Sequence, residues 1–202
     1  MEERQAVLPS FGAELPEWDA TQSRVLDAAD ELIRRRGVGG VTIAELSRRS
    51  GLSRPTVYRS WSDADDVVRS ALLRRVIRIL ASFETPASTR AGLVDDVLRF
   101  SARFRTDAVY GRLLDDEPEA FTRYTLQRVG SSQRMILAWL ATAIAAAQED
   151  GSVRQGEPQE IAVMLLLIAQ SAVLSHGTVT ELIDEEAWER ELRAALDGHL
   201  RP

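Results

Sequence analysis

The stretch TIAELSRRSGLSRPTVYRSW, which begins at Thr42, predicts two short helices joined by a tight turn. Thr42 has the side chain of a helix N-cap, and Glu45, three residues later, is placed to complete a capping box. Gly51 tolerates the left-handed backbone conformation that ends many helices. Ser53 can then cap a second helix with Pro55 in its first turn, where a missing N–H costs least. Two short helices joined in this way describe a helix-turn-helix.

The second of these helices carries groups that suit contacts with DNA. Arginine and hydroxyl side chains bind phosphates and the edges of bases in the major groove of a duplex. The expected contacts are Arg54, Pro55 and Thr56 on base edges, Thr42, Tyr58 and Arg59 on phosphates, and Ser53 and Ser60 at the margin. The alternative is an ordinary helical hairpin that does not touch DNA.

This stretch resembles the DNA-binding domain of the TetR family of bacterial transcriptional repressors. The resemblance covers residues 20 to 75 or so, and elsewhere only helical architecture and overall length agree. It is carried by Gly37, Thr42, Ile43, Ala44, Leu46, Gly51, Leu52, Ser53, Thr56, Val57, Tyr58 and Trp61. The resemblance implies an all-helical homodimer that binds operator DNA, with its fourth helix as the lever between a ligand and the DNA.

The chain departs from the family pattern at one position that matters electrostatically. Family members usually carry a lysine just after the cap of helix four, and its ammonium group meets a DNA phosphate. Here that position is Ala64, which removes one cationic contact. We therefore expect binding to depend more on Arg54, Arg59 and backbone N–H groups.

The distribution of charge supports a DNA-binding module, although the total charge does not. The 202-residue chain has a formal net charge of −6. Residues 21–61 nevertheless carry eight arginines against four acidic residues, whereas residues 62–202 carry sixteen arginines against 22 acidic residues. A local basic patch, and not the overall isoelectric point, is the electrostatic footprint of a nucleic-acid site.

The rest of the chain shows helical periodicity without strand-like alternation, so we predict an all-α fold of about nine helices. Residues 1–18 mix prolines, glycine and acids, and we expect them to form a mobile leader. An N-terminal three-helix domain with the helix-turn-helix is expected over 19–62. A C-terminal helical bundle for ligand binding and dimerisation is expected over 63–202, joined through helix four at 63–84.

Two helix boundaries carry specific expectations. Asp19 is expected to cap the first helix, with Gln22 at the capping-box position. Pro118 is expected to open a seventh helix that ends near Asp150 and spans about 50 Å. The alternative is a kink or a break of this helix at Gly130-Ser131.

The chain offers little for catalysis. It has two histidines, no cysteine, and none of the common metalloprotease, phosphate-loop, dinucleotide-binding or Ser/His/Asp patterns. Four carboxylates are interpreted as a solvated turn at the positive end of a helix dipole: Asp115, Asp116, Glu117 and Glu119. His176 is interpreted as a C-terminal cap or a residue of a dimer seam. We expect no enzymatic activity, no cofactor and no metal site.

A cytoplasmic protein is expected from two features of the chain. The absence of cysteine suits a reducing compartment. The acidic N-terminus lacks the apolar core of a signal peptide.

Aromatic residues in the C-terminal half could line a pocket for a hydrophobic or aromatic effector. Arg103 and Gln170 would be its polar handles. The other candidates are Phe83, Phe100, Phe104, Tyr110, Phe121, Tyr124, Met135 and Trp139. The alternative is that these side chains only fill the core, and the sequence does not separate the two interpretations.

The run from Ile161 to Ala169 is apolar on every side of its helix and needs cover on every side. One side can face its own domain, and the other needs a second protein surface. The longer uncharged run from Ile161 to Thr180 contains Gln170, His176, Gly177 and several hydroxyls, so dimer burial explains it better than a bilayer does. The expected dimer contacts are Met164, Leu167, Ile168, Ser171, Trp188, Leu192, Ala195 and Leu196, of which Trp188 and Leu192 fit an internal core equally well.

The sequence thus predicts a ligand-responsive transcriptional repressor that binds a near-palindromic operator as a homodimer. One alternative is a regulator of the same fold that needs no effector or that activates transcription. The other is a helical small-molecule-binding protein that does not bind DNA.

Overall fold

Helices form all the regular secondary structure in the part of the chain that the computed structural model describes, residues 15–83, 85–125 and 129–202. The α-helices are α1 Ala20–Arg36, α2 Ile43–Ser50, α3 Arg54–Tyr58, α4 Ala64–Leu80, α5 Arg90–Thr106, α6 Tyr110–Asp116, α7 Pro118–Thr125, α8 Ser131–Glu149, α9 Pro158–Val179 and α10 Glu185–Leu200. A 3₁₀ turn, Val38–Gly40, links α1 to α2. The all-α prediction is therefore confirmed. Most of the leader expected over 1–18 lies outside the described residues.

The start of α1 follows from its local sequence. The Asp19 carboxylate accepts a hydrogen bond from the Gln22 backbone N–H at 2.7 Å, and the Gln22 side chain accepts one from the Asp19 N–H at 2.9 Å. This is the predicted capping box, which satisfies two N–H groups that the helix itself leaves without partners. Gly37 ends the helix with φ +72°, a conformation that glycine adopts without strain.

The prediction of one long seventh helix is wrong, and the alternative of a break is confirmed. Helix α7 ends at Thr125 and helix α8 begins at Ser131. Gly130 precedes the new helix, and glycine costs about 1 kcal/mol relative to alanine in a helix interior. The expected span therefore contains two helices, which raises the number in the described residues to ten.

The chain divides into two compact units. The first unit contains residues 15–78 and the described part of 104–132, and the second contains the described parts of 79–103 and 133–202. The helix-turn-helix expected within 19–62 lies in the first unit, together with α6 and α7. The domain boundaries expected from the sequence remain a prediction, because this unit extends well beyond residue 62.

The first unit is held together by an apolar core and by a buried ionic cluster. Leu26, Leu46 and Val57 are fully buried in that core. Asp30, which is also buried, lies 3.2 Å from Arg74 and 3.4 Å from Arg75. A carboxylate removed from water needs such charged partners. The cluster therefore fixes α1 against α4 in the unit that carries the helix-turn-helix.

The second unit contains an unusually apolar helix. Helix α9 is long and apolar enough to cross a membrane by length and composition, and only 22% of its most apolar window is buried inside the protomer. Ile161 and Leu165 lie in the core, whereas Met164 and Leu167 are exposed. The two faces of the helix thus have different surroundings, as the sequence predicts for a helix that needs a second surface.

We predict that Asp30→Ala lowers the free energy of unfolding by about 3 kcal/mol, because it leaves buried guanidinium charge without its central partner. This value is at the lower end of the cost of breaking a buried ion pair, because both arginines keep another carboxylate partner. Arg74 lies 2.8 Å from Asp27, and Arg75 lies 2.5 Å from Asp107. Urea unfolding followed by circular dichroism measures the difference.

The matched control is Asp95→Ala, which removes an exposed carboxylate 2.5 Å from Arg193. Exposed ion pairs contribute about 0–1 kcal/mol, so this variant should stay close to the parent. Equal costs for the two substitutions would contradict a structural role of the buried cluster.

Candidate nucleic-acid interface

The turn between α2 and α3 has the local geometry that its sequence predicts. The Thr42 hydroxyl accepts a hydrogen bond from the Glu45 N–H at 3.2 Å and so caps α2. Gly51 adopts the left-handed conformation with φ 67° and ψ 25°. The Ser53 hydroxyl accepts from the Thr56 N–H at 3.3 Å and lies 2.8 Å from the Thr56 hydroxyl. These caps set the direction in which α3 leaves the turn.

The capping box of α2 forms only in part. The Glu45 carboxylate accepts a hydrogen bond from Arg48 at 2.5 Å and does not reach back to the Thr42 N–H. The prediction of this reciprocal hydrogen bond is therefore wrong. The hydrogen bond from Arg48 lowers the pKa of Glu45. A charged partner one helical turn away competes successfully with a backbone N–H for the same carboxylate.

One face of α3 is anchored and the other is exposed. Val57 is fully buried, and Trp61, just beyond the helix, packs in the core and donates from its indole N–H to the Ser70 hydroxyl at 2.9 Å. Thr56 is half-buried. The other expected contact residues are all exposed to solvent: Thr42, Ser53, Arg54, Pro55, Tyr58, Arg59 and Ser60. The helix therefore presents its polar face on the surface of the first unit.

The two arginines of this face keep their charge available. Neither Arg54 nor Arg59 forms an ion pair within the described residues, whereas the arginines of α2 are neutralised. Arg48 pairs with Glu45, and Arg49 lies 2.5 Å from Glu31. A guanidinium group without an internal partner is free to bind a phosphate or a base edge.

The start of α4 is electrostatically different. Ala64 is half-buried, and Asp63, Asp65 and Asp66 surround it in sequence. Arg69 lies 3.3 Å from Asp66 and 3.9 Å from Asp63, so its charge is already engaged. In the part of the chain that the structure describes, the start of α4 thus has no unengaged cation in place of the lysine of the family pattern.

Two side chains near the site were not predicted from the sequence. The Arg24 guanidinium donates to the Ser50 carbonyl at 2.5 Å and so caps the end of α2. The Gln22 amide donates to the Ser60 hydroxyl at 3.4 Å. Both contacts join residues far apart in the chain, and only the general preference of cations for helix C-termini points to Arg24.

The ten candidate effector residues are divided between the two units. In the second unit, the Trp139 ring lies 5.4 Å from Phe83 and 6.0 Å from Phe100, measured between centroids. The Arg103 guanidinium lies over Phe83 at 5.1 Å. Met135 is buried on α8, the helix that also carries Trp139, and the Gln133 amide donates to Gln170 at 3.2 Å.

The remaining four candidates lie in the first unit. Phe104 stacks on Tyr110 at 3.9 Å and meets Phe121 edge-on at 6.1 Å. The Tyr110 hydroxyl donates to the Leu72 carbonyl at 2.8 Å, and burial raises its pKa. Tyr124 donates to the Asp65 carboxylate at 2.8 Å. These side chains are stacked or hydrogen-bonded within the unit that carries the helix-turn-helix, which favours core filling for them, and their assignment to an effector pocket stays a prediction.

The candidate dimer contacts lie along a groove between α9 and α10. The groove has a volume of about 600 Å³, and its apolar lining includes Leu167, Ile168, Trp188 and Leu192. Ser171 and Ala195 also line this groove, and Met164 is exposed on α9 outside its lining. Leu196 is fully buried within the protomer, so its assignment to the dimer surface is wrong.

The assignment of His176 to a C-terminal cap or a dimer seam stays a prediction. The His176 imidazole lies 2.6 Å from the Glu185 carboxylate and edge-on to Trp188 at 4.8 Å, close to the end of α9.

Asp115, Asp116 and Glu119 are exposed, as expected of a solvated turn. Glu117 is not, because its carboxylate turns inward and accepts from the Val38 N–H at 3.1 Å. The Val38 N–H, which has no partner within its own 3₁₀ turn, thus takes the place of water at this carboxylate.

Comparison with known proteins gives one family and one fold. Residues 25–71 match the family model described as bacterial regulatory proteins, tetR family. An uncharacterized HTH-type transcriptional regulator of Mycobacterium tuberculosis is 36% identical over 180 residues, which cover 89% of this chain and 94% of the relative.

Two solved structures have the same fold at low sequence identity. SmeT, the repressor of the Stenotrophomonas maltophilia multidrug efflux pump SmeDEF, aligns with a TM-score of 0.59 and 19% identity, over 91% of this chain and 92% of SmeT. The regulator FadR from Bacillus subtilis, in complex with stearoyl-CoA, aligns with a TM-score of 0.59 and 13% identity, over 89% of this chain and 99% of FadR.

Proposed function

The chain belongs to the TetR family of bacterial transcriptional regulators, and we propose that it is a ligand-responsive repressor that binds a near-palindromic operator as a homodimer. Such a protein acts in the cytoplasm, where its DNA is. The observation that carries the proposal is the polar face of α3, which is exposed, capped at its start and provided with two arginines that have no ion-pair partner within the described residues.

The proposed contacts follow from this face. Arg54, Pro55 and Thr56 meet base edges, and Tyr58 and Arg59 meet phosphates on the flank of the groove. Thr42 adds a phosphate contact at the start of α2, where backbone N–H groups also favour an anion. In a dimer, the two recognition helices must lie about 34–36 Å apart, or near a multiple of it, to enter one face of the duplex.

We propose that the effector acts on this spacing. A ligand that prefers a conformer with the wrong separation shifts the dimer away from DNA, by no more than its difference in affinity for the two conformers. Helix α4 leads from the helix-turn-helix to the rest of the chain and is the natural lever.

The two arginines of α3 should differ in what their loss does to DNA binding. Arg54→Ala should weaken binding to the preferred duplex by about 1–3 kcal/mol and relax base preference at one position. Arg59→Ala should weaken binding to all sequences and lower the slope of log K against log salt by about 1. Fluorescence anisotropy over a salt series measures both, with a duplex that the purified protein selects from a random library.

Arg190→Ala is the matched control, since Arg190 is exposed on α10 and paired with Glu191. It should leave affinity and salt slope unchanged. Ala64 and the aspartates around it favour the second candidate function, a ligand-binding protein that does not bind DNA. A parent protein with no selected duplex and a flat salt response would overturn the repressor proposal and favour that candidate instead.

The proposed dimer rests on the apolar groove between α9 and α10 and on the exposed face beside it. Leu167 is 49% exposed in the protomer, which is unusual for leucine in the middle of an apolar helix. Leu167→Glu should convert the dimer to a monomer at micromolar concentration, because it places a charge in an apolar interface. Sedimentation velocity measures the change.

Leu182→Glu is the control for this experiment. Leu182 is 80% exposed in the turn that follows α9, outside the groove. Dissociation by both substitutions, or by neither, would contradict the assigned interface.

The proposed effector site is the aromatic cluster of Phe83, Phe100 and Trp139 in the second unit. Two guanidinium groups, those of Arg99 and Arg103, lie over the Phe83 ring. Such a cluster suits an amphipathic ligand with an apolar body and an anionic end. Stearoyl-CoA, named in the FadR structure, has this character.

A thermal-shift screen of the intact dimer should use stearoyl-CoA and a panel of aromatic carboxylates. A true effector raises Tm progressively as its concentration exceeds Kd, because it binds the folded dimer and not the unfolded chain, and it lowers affinity for the selected duplex. Arg103→Gln should weaken the response to anionic compounds and spare uncharged aromatic ones. A protein that binds DNA but responds to none of these compounds would support the effector-independent alternative.

A further inference from the structure

Helix α7 contacts the helix-turn-helix segment at both of its ends. The residue that precedes α7, Glu117, hydrogen bonds to Val38, which lies just before α2. Tyr124, near the other end of α7, hydrogen bonds to Asp65 in the first turn of α4. Residues 38 to 65 contain the whole of α2, the turn and α3, so the two contacts bracket the DNA-binding segment.

The contact at Val38 is closely fitted. Val38 begins the 3₁₀ turn, so its N–H has no partner within that turn. The Glu117 carboxylate accepts from it at 3.1 Å across 79 residues of sequence. A Cβ atom at the neighbouring Gly37 would lie 1.7 Å from a Glu117 oxygen, and Gly37 has φ +72°. Glycine is therefore required there both by the backbone and by the approach of the carboxylate.

The carboxylate has few other partners. Its second oxygen is buried without a hydrogen bond and lies 3.8 Å from the Arg112 guanidinium. Arg112 also lies 3.3 Å from the exposed Asp116. The Val38 N–H is thus the main directional partner of Glu117, and loss of that bond would remove the hydrogen bond that ties the connection between α1 and α2 to the start of α7.

The contact at Asp65 is a hydrogen bond from a phenol to a charged carboxylate, at 2.8 Å. Burial and the neighbouring Asp65 raise the pKa of Tyr124, so the hydroxyl keeps its proton and remains a donor near neutral pH. The Arg123 guanidinium lies over the ring at 5.1 Å and holds it in place. A bond of this kind is stronger than one between neutral groups.

We propose that Glu117 and Tyr124 are positioning residues, and that α7 is a rigid spacer which fixes the separation of the two ends of the helix-turn-helix segment. Seven residues of helix set that separation at about 10 Å along the axis. The two contacts then act together with the core packing of Val57 and Trp61 to hold α3 in one orientation toward DNA. This inference rests on the proposed function, since it concerns how the DNA-binding helix is aimed.

The test compares Glu117→Ala and Tyr124→Phe with the control Glu119→Ala, which removes an exposed carboxylate from the first turn of α7. Tyr124→Phe keeps the ring and removes only the hydroxyl, so it should fold even if the other variant does not. Affinities are measured for the duplex selected by the parent protein and for a random-sequence duplex at the same salt.

We expect each of the two substitutions to weaken binding to the selected duplex about tenfold, as for the loss of one hydrogen bond to a charged group. Binding to random-sequence DNA should be unchanged, because the charges on α3 remain. A merely structural role would lower both affinities together with Tm. Glu117→Gln, which keeps an acceptor for the Val38 N–H, should recover most of the lost specificity.

Hydrogen exchange supplies a second readout that does not involve DNA. The Val38 amide should exchange faster in Glu117→Ala than in the parent or in Glu119→Ala, since its acceptor is gone. Unchanged exchange at Val38 would overturn this contact.

The outcomes separate the two proposals. A parent that binds its selected duplex, with variants that bind it equally well, would overturn the positioning role and leave the proposed function intact. Parallel loss of specific and random binding would also overturn it. A parent with no preferred duplex would overturn both.

Discussion

The anchoring of a five-residue helix is the constraint on which the rest of this structure depends. Helix α3 is far too short to be stable alone, because a helix nucleus is costly and isolated helices of fewer than about 12 residues are marginal in water. Its conformation is imposed from outside: Ser53 and Gly51 fix its start, and Val57 and Trp61 fix one face in the core. The polar face can then stay exposed at no cost to folding. The rest of the first unit supplies the rigid support for these few residues.

Charge is arranged on the same principle. The arginines of α2 form ion pairs with carboxylates of the same unit, and Arg74 and Arg75 form ion pairs with Asp30. Arg54 and Arg59, in contrast, have no ion-pair partner among the described residues. An acidic chain can therefore still present a positive surface, since a potential near DNA depends on local charge within about 10 Å at 0.1 M salt. The surplus of acids elsewhere limits binding through any other face.

Apart from the reciprocal bond of Glu45, which Arg48 displaces, the sequence predicted the contacts that close within one helical turn and missed those that close over long distances. The caps at Asp19, Thr42 and Ser53 were found because the partner N–H lies three residues away and few alternatives compete. Glu117 was misjudged because its partner lies 79 residues away, and a run of acids looks the same whether or not one of them turns inward. The burial of Leu196 was missed for a related reason: an apolar stripe on a helix does not state whether its own chain or a copy covers it. The residues proposed to contact DNA, effector and a second protomer likewise have partners that the local sequence does not identify. The structure supports these proposals through the exposure of the side chains and the distances between them.

The position of the missing lysine connects these observations. At the start of α4 the chain has Ala64 followed by Asp65, and a carboxylate beside a phosphate backbone is repulsive on electrostatic grounds. Here that carboxylate accepts a hydrogen bond from Tyr124, which gives it a role within the protein. On the proposed function, an attractive contact with DNA is replaced by an internal hydrogen bond, from Tyr124 to Asp65, that restricts the orientation of the helix-turn-helix. Less affinity from charge and more restriction of geometry both favour discrimination between sequences over general attraction to DNA, because non-specific binding depends almost entirely on phosphate contacts.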